Sequence, residues 1–330
     1  AFQVILLVLI AQIARGQYPP ELRGRHLPER IPVIHHTTKS LGAQRSRSAV
    51  GSGAGGEVEW GPIIRLSPKD PYPSGGNFTP LVAVQGNTVH CIWFGGSDRL
   101  PYIRSTTGGL TWESPRDILL DSVISPCPGG WAQMKADSAK AYIFFISNKC
   151  LGRGHVYLIE SSDKGTTWSA PIRASTDTTG SIFSASVRGD SMAGVYVPEI
   201  NGIGQYPRIT RTTNAGIAWT KNPFRMPSSS SNQLRVALTP GLLNFFHPGD
   251  MWPGPAPEIV LHRSVNLADS WKDSVVLSPR DGNGSDMPEI ATYEYIGASP
   301  RTTIAVMWRG EDFTGRGFSA GMAFRISSDN

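Results

Sequence analysis

Past position 58 the chain is a succession of short apolar runs separated by turn residues. Among them are His90–Gly95, Tyr142–Ile146, Ala193–Val197, Leu243–His247 and Ile304–Trp308. They are rich in β-branched and aromatic residues and too short for ordinary helices, so they are expected to be strands. A further strand precedes each, as in Phe78–Val84 or Ile182–Val187. Gln85-Gly-Asn, Arg188-Gly-Asp and Thr239-Pro-Gly supply tight turns between the two. The unit that emerges is strand A, turn, strand B, loop, strand C, turn, strand D.

The unit repeats. A tryptophan followed by a short strand occurs at Trp60, Trp112, Trp168, Trp219 and Trp271, with spacings of 52, 56, 51 and 52 residues. A fixed period of this size marks an all-β propeller, in which each repeat is one four-stranded sheet. Before four of these tryptophans lies a related octet. Ser161-Ser-Asp163-Lys-Gly165-Thr-Thr167-Trp168 is the clearest copy. The octets beginning at Ser105, Thr212 and Ser264 carry Thr107, Asn214 and Asn266 in place of the aspartate, and another opens at Ser327-Ser-Asp329. A carboxylate or amide at the third position can bond the N–H groups of a tight turn, and glycine two residues later supplies positive φ. The tryptophan can pack between sheets. The octets are therefore structural; one carboxylate in a turn is a poor metal site.

The pattern S-x-D-x-G-x-T-W resembles the Asp-box, or bacterial neuraminidase repeat, of sialidase-superfamily propellers, over residues 58–330. The resemblance implies a six-bladed ring with ligands bound at the end carrying the B–C loops and D–A connections. Residues 58–66 would be a closing outer strand on the last blade. Four complete blades would span about 77–119, 130–174, 181–226 and 232–278. A fifth would be cut short at Asn330, which would leave the ring incomplete.

Composition adds limits. The 36 Gly, 26 Pro and only 17% charged residues disfavour helical bundles, while nine Trp, nine Tyr and twelve Phe disfavour disorder. Most of the net charge of +5 sits before residue 58, so no basic face for nucleic acid is indicated. Residues 2–13 form an apolar run too short to span a bilayer, followed by Ala14-Arg-Gly16. Residues 1–16 are read as a secretory signal and 17–57 as a flexible linker, leaving no membrane span after cleavage. In an exported protein Cys127 and Cys150, in loops on one face, are a disulfide candidate, and Cys91 a buried thiol. No cofactor, metal or oligomer partner is indicated, and a monomer is expected.

The resemblance also implies chemistry. A sialidase binds its substrate carboxylate with three arginines, whose planar forks suit that task. It uses an aspartic acid and a tyrosine activated by a glutamate. The first arginine is expected where this chain has Phe78-Thr79-Pro80, and is missing there. Asp98 falls where the acid belongs, Glu289 where the glutamate does, and Arg235 and Arg309 fit as substrate arginines. Glu199 with Asp250, or Glu289 with Glu311, could instead be a two-carboxylate glycosidase pair. Tyr206, His247 and Glu258 are expected on the same face. The reading is a secreted or cell-surface propeller engaging an extracellular glycan or glycoprotein. It is either a sialidase-like glycoside hydrolase or a non-catalytic binding or display module.

Overall fold

The computed structural model describes residues 63–66, 78–94, 100–118, 132–147, 154–177, 179–200, 203–204, 206–221, 233–249, 258–272, 274–278, 285–295, 301–310 and 321–329. Every regular element among them is a strand. Blade one is β1 (Phe78–Gln85), β2 (Thr88–Phe94), β3 (Pro101–Ser105) and β4 (Arg116–Asp117). Blade two is β5 (Ala132–Ala136), β6 (Ala141–Ser147), β7 (His155–Ser161) and β8 (Ile172–Arg173). Blade three is β9 (Thr179–Arg188), β10 (Ser191–Ile200), the short β11 (Ile203–Gly204), β12 (Arg208–Thr212) and β13 (Thr220–Lys221). Blade four is β14 (Arg235–Thr239), β15 (Leu242–Pro248), β16 (Ile259–Ser264) and β17 (Ser274–Val276). Blade five contributes β18 (Ser285–Tyr295), β19 (Arg301–Gly310) and β20 (Gly321–Asp329).

Each sheet is an antiparallel meander in chain order, with β11 an added edge on β10. The first strands of successive sheets touch one another: β1 with β5, β5 with β9, β9 with β14 and β14 with β18. This is a β-propeller, with five blades described rather than the six expected. The short β11 hairpin had no signal in the repeat. The expected closing strand at 58–66 lies mostly outside the described residues, and its described part, 63–66, is not a strand. Leu66 nonetheless packs on the cluster of Cys91, Trp93 and Ile103, the face of blade one turned away from blade two.

Burial on both sheet faces explains the sequence pattern. Strand β6 is buried at every position, Ala141 through Ser147. Its Ile143 and Phe145 meet blade one, while Tyr142, Phe144 and Ile146 meet blade three. A strand clothed on both sides reads as an unbroken apolar run rather than an alternating one. The octet tryptophans fill the seams. Trp168 meets Tyr102 of blade one edge-on, and Trp219 meets Phe144 of blade two in the same way.

All four octets make the same turn although only one has aspartate. The first side chain accepts from the N–H four residues on: Ser105 from Gly109 (2.8 Å), Ser161 from Gly165 (2.7 Å), Thr212 from Gly216 (3.3 Å) and Ser264 from Ala268 (2.7 Å). The third accepts from the seventh: Thr107 from Thr111 (2.8 Å), Asp163 from Thr167 (2.9 Å), Asn214 from Ala218 (3.0 Å) and Asn266 from Ser270 (2.9 Å). Any side-chain oxygen at the third position does the work. The Thr167 N–H and hydroxyl hold the Asp163 carboxyl well below the usual carboxylate range. The fifth position has positive φ in every copy, +82° at Gly165 and +74° even at Ala268.

Arginines tie one blade to the next turn. Arg104 donates to the Lys164 carbonyl (2.6 Å) and the Thr166 hydroxyl (2.8 Å), and Arg116 to the Thr166 carbonyl (2.9 Å). Arg211 does the same for blade four, donating to the Asn266 carbonyl (3.0 Å) and pairing with Asp269. Both Arg104 and Arg211 stand one residue before their own octet.

Two parts of this packing can be tested, the octet turn and the buried His90. A Cβ on Gly165 would stand 1.9 Å from the Tyr102 hydroxyl, at a backbone angle L side chains disfavour. Gly165→Ala should therefore cost more than about 2 kcal/mol in urea unfolding. Asp163→Asn should stay within about 1 kcal/mol of the parent, because asparagine serves in the third and fourth octets, while Asp163→Ala loses about 1–2 kcal/mol. The second concerns His90, fully buried, whose Nδ1 lies 2.8 Å from the Tyr102 hydroxyl. Burial first, and the Arg104 charge second, push its pKa down to about 4. The unfolded chain takes up this proton near pH 6.5 and the folded chain only near pH 4, so stability falls as pH drops through that window. The loss is about 3 kcal/mol. His90→Gln should flatten that part of the melting-temperature profile; an unchanged slope would assign it elsewhere.

Candidate functional site

The first strands of the blades surround the hub, so their register decides what meets there. The octet serine or threonine aligns the blades: Ser105, Ser161, Thr212, Ser264 and Ser327 pair with Val89, Ala141, Met192, Leu243 and Ile304. Those in turn pair with Val84, Ala136, Val187, Leu238 and Thr292. Three residues back along each first strand, at the loop end, lie Leu81, Gln133, Ser184, Arg235 and Glu289. One residue back, deeper in the hub, lie Ala83, Lys135, Ser186, Ala237 and Ala291.

Two residues of the upper ring form the centre of the site. Arg235 grips Glu289 across the seam between blades four and five. Its Nε donates to Oε2 at 3.2 Å and its second terminal nitrogen to Oε1. The remaining terminal nitrogen donates to the Leu234 carbonyl at 2.9 Å. The two side chains keep only 19% and 21% of their surface. The neighbouring serines have another task. Ser184 and Ser186 accept from the backbone N–H groups of Val236 (3.1 Å) and Leu238 (2.9 Å) on the next first strand. These N–H groups would otherwise be left over at the inner edge of the sheet.

Lys135 joins the pair from the lower ring. It is half-buried, and burial pushes its ammonium below the usual lysine value. Arg235 adds to that depression, while Glu289 opposes it more strongly than Arg235 adds. The backbone of Lys135 pairs with Tyr142, and among the described residues no hydrogen bond or ion pair reaches its ammonium. Among the described residues, Lys135, Arg235 and Glu289 thus bring two cations and one anion from three blades.

The other expected residues divide. Arg309 lies at the end of β19 opposite Asp286 and is exposed, with an interaction of its own. Glu199 lies at the end of β10, opposite Gly204. Asp98, Asp250, Glu311, Cys127 and Cys150 fall outside the described residues. His247 is not a loop-face ligand group. It is buried, its Nδ1 donates to the Pro248 carbonyl (2.7 Å), and its Nε2 therefore accepts from His262 Nε2 (2.9 Å). Burial keeps His262 below the ordinary histidine value. Glu258 accepts from the Ser278 hydroxyl. A further polar group on the loop side centres on Asp177, which accepts from the Tyr196 hydroxyl (3.1 Å) and pairs with Arg208 (3.5 Å).

Sequence reasoning found Arg235 and Glu289 but missed Lys135. The available signal was the repeat register, in which Lys135 is the one long residue among alanines and a serine. Among the described residues no group of three or more His, Cys, Asp or Glu is placed to hold a metal, and no helix is long and apolar enough to cross a membrane.

No protein-family model matches the chain, and no curated protein matches it. Solved structures resemble it distantly. A Hadza microbial sialidase is 18% identical with a TM-score of 0.42, over 75% of this chain and 52% of that one. A GH43 endo-arabinanase from Bacillus licheniformis is 14% identical with a TM-score of 0.39, over 77% and 95%. The GH93 α-L-arabinofuranosidase of Fusarium graminearum is 12% identical with a TM-score of 0.49, over 78% and 83%. The chain spans about half the length of the sialidase it resembles, 52%. Likeness at this distance carries no argument about chemistry, which has to come from the hub itself.

The Arg235–Glu289 pair has a measurable signature. Glu289→Ala strands a mostly buried guanidinium and should cost about 2 kcal/mol, a partly exposed version of the buried-pair penalty. Adding Arg235→Met should recover most of that loss. Additive losses in a double-mutant cycle of urea unfolding would show that the two side chains do not act as a pair.

Proposed function

We propose that this chain is a secreted or cell-surface Asp-box propeller, sialidase-like in type, whose hub binds extracellular glycans. The observation that carries the reading is the meeting of Arg235 and Glu289 at the loop end of the hub, contributed by the first strands of two blades. Sugars present rings of hydroxyl groups, and a fixed guanidinium–carboxylate pair offers both donors and acceptors to them. The octet turns are read as Asp boxes because their hydrogen bonds recur whichever residue fills the third position. The apolar face of blade one with Leu66, and that of blade five with Ala305 and Met307, suit a sixth blade between them.

Binding is favoured over hydrolysis by two features. Phe78-Thr79-Pro80 stands where the resemblance implies an arginine, and the Arg235 fork is already occupied by Glu289. Hydrolysis remains the second reading, supported by Glu289 and Arg235 falling where the resemblance puts a glutamate and a substrate arginine. It would need Asp98 as the acid.

The full chain on a glycan array, alongside fluorogenic sialoside and arabinoside assays, tests the reading. Retention of glycans without turnover is expected, with Arg235→Met reducing retention at least tenfold. Turnover lost in Asp98→Ala would convert the binder into a hydrolase. Neither retention nor turnover would overturn the reading.

A further inference from the structure

The octet end of the molecule, opposite the loop end of the hub, carries a cavity at the seam between blades three and four. Its volume is about 130 Å³. Leu238, Leu242, Val265 and Leu267 of blade four line it, with Arg188 and Ser191 of blade three across the seam. An apolar cavity of about 150 Å³ accepts benzene, so this one has room for a single aliphatic side chain.

Three of these side chains are exceptions to the repeat. The position just before Val89, Ala141, Met192 and Leu243 holds Thr88, Lys140, Ser191 and Leu242. The second octet position holds Thr106, Ser162, Thr213 and Val265, and the fourth Gly108, Lys164, Ala215 and Leu267. Each is polar or small in the first three blades and aliphatic only in blade four. The choice is costly there: Val265 is 51% exposed, and Leu267 has φ +53°, a region that bulky side chains avoid. Turn geometry does not call for them, because the other octets make the same turn without them. The cation is an exception as well. Gln85 holds the equivalent place in blade one, where it donates across the seam to the Ser138 carbonyl (3.4 Å). At the seam of blades three and four that place belongs to Arg188, which is exposed at the edge of the cavity. Arg188 has an interaction within the chain, but its fork carries five donors and a carboxylate takes two.

We propose that this cavity is a second binding site, on the octet face, for a protein whose C-terminus ends in leucine, isoleucine or valine. The last side chain enters among Leu242, Val265 and Leu267, and the terminal carboxylate meets the Arg188 guanidinium. An internal segment would need an acidic residue beside the aliphatic one, in a cavity with room for one side chain. A terminal residue brings both groups on the same carbon. The site lies at the opposite end of the blades from Arg235 and Glu289 and is independent of the glycan reading.

The test follows the leucine and valine methyl resonances of the full chain by NMR during titration with N-acetyl-Gly-Gly-Leu, its C-terminal amide, N-acetyl-Gly-Gly-Ala and free leucine. The leucine peptide acid should bind at least tenfold more tightly than the other three and should shift the Val265 and Leu267 methyl signals. Arg188→Gln, which restores the residue of blade one, should bring acid and amide to equal affinity. Val265→Thr and Leu267→Lys install residues that other octets hold at the same places, so both should fold, and each should weaken binding of the acid at least tenfold. Equal binding of acid and amide by the parent, or undiminished binding by both cavity variants, would overturn the inference. Free leucine binding as tightly as the peptide would overturn it too, by making the ligand an amino acid. Should the variants fail to fold, the parent alone decides: Val265 and Leu267 signals that stay still as the peptide acid is added would end the proposal.

Discussion

A four-stranded sheet that is apolar on both faces cannot stand in water, and everything else in this molecule answers that constraint. Strand β6, buried at all seven positions, needs a neighbour on each side. Stacking sheets face to face meets the need, and the twist of each sheet fans the stack around an axis. The cost appears at the inner edge, where each first strand presents unpaired backbone groups to the hub. Ser184 and Ser186 show one solution, accepting from Val236 and Leu238 of the next blade. At the outer end the octet turns and the arginines beside them close the seams. Apolar contact sets the stacking, while hydrogen bonds at the two ends set its register.

That division explains what could be read without coordinates. The period and the strand order were legible because turn chemistry is local: Ser161, Asp163, Gly165 and Thr167 bond one another within seven residues. Even the octet at Ser264, with asparagine for aspartate and Ala268 for glycine, keeps the geometry, so the pattern survives its own degradation. Arg104 and Arg211 were not legible, because their targets lie one repeat away and a lone arginine on a strand end reads as a surface charge. His247 misled for a related reason. Its place after an apolar run suggests a loop, yet β15 continues through Pro248, and the imidazole is consumed by His262.

The hub was half legible. Glu289 and Arg235 were picked out by the family resemblance, but their pairing follows only from β14 and β18 being neighbours in space. Lys135 belongs to no motif. It emerges once the blades are aligned on their octet serines, when a ring of Ala83, Ser186, Ala237 and Ala291 is seen to contain one lysine. Packing holds equivalent positions of a repeat to a small set of residues, so an exception such as Lys135 stands out only once the repeats are in register.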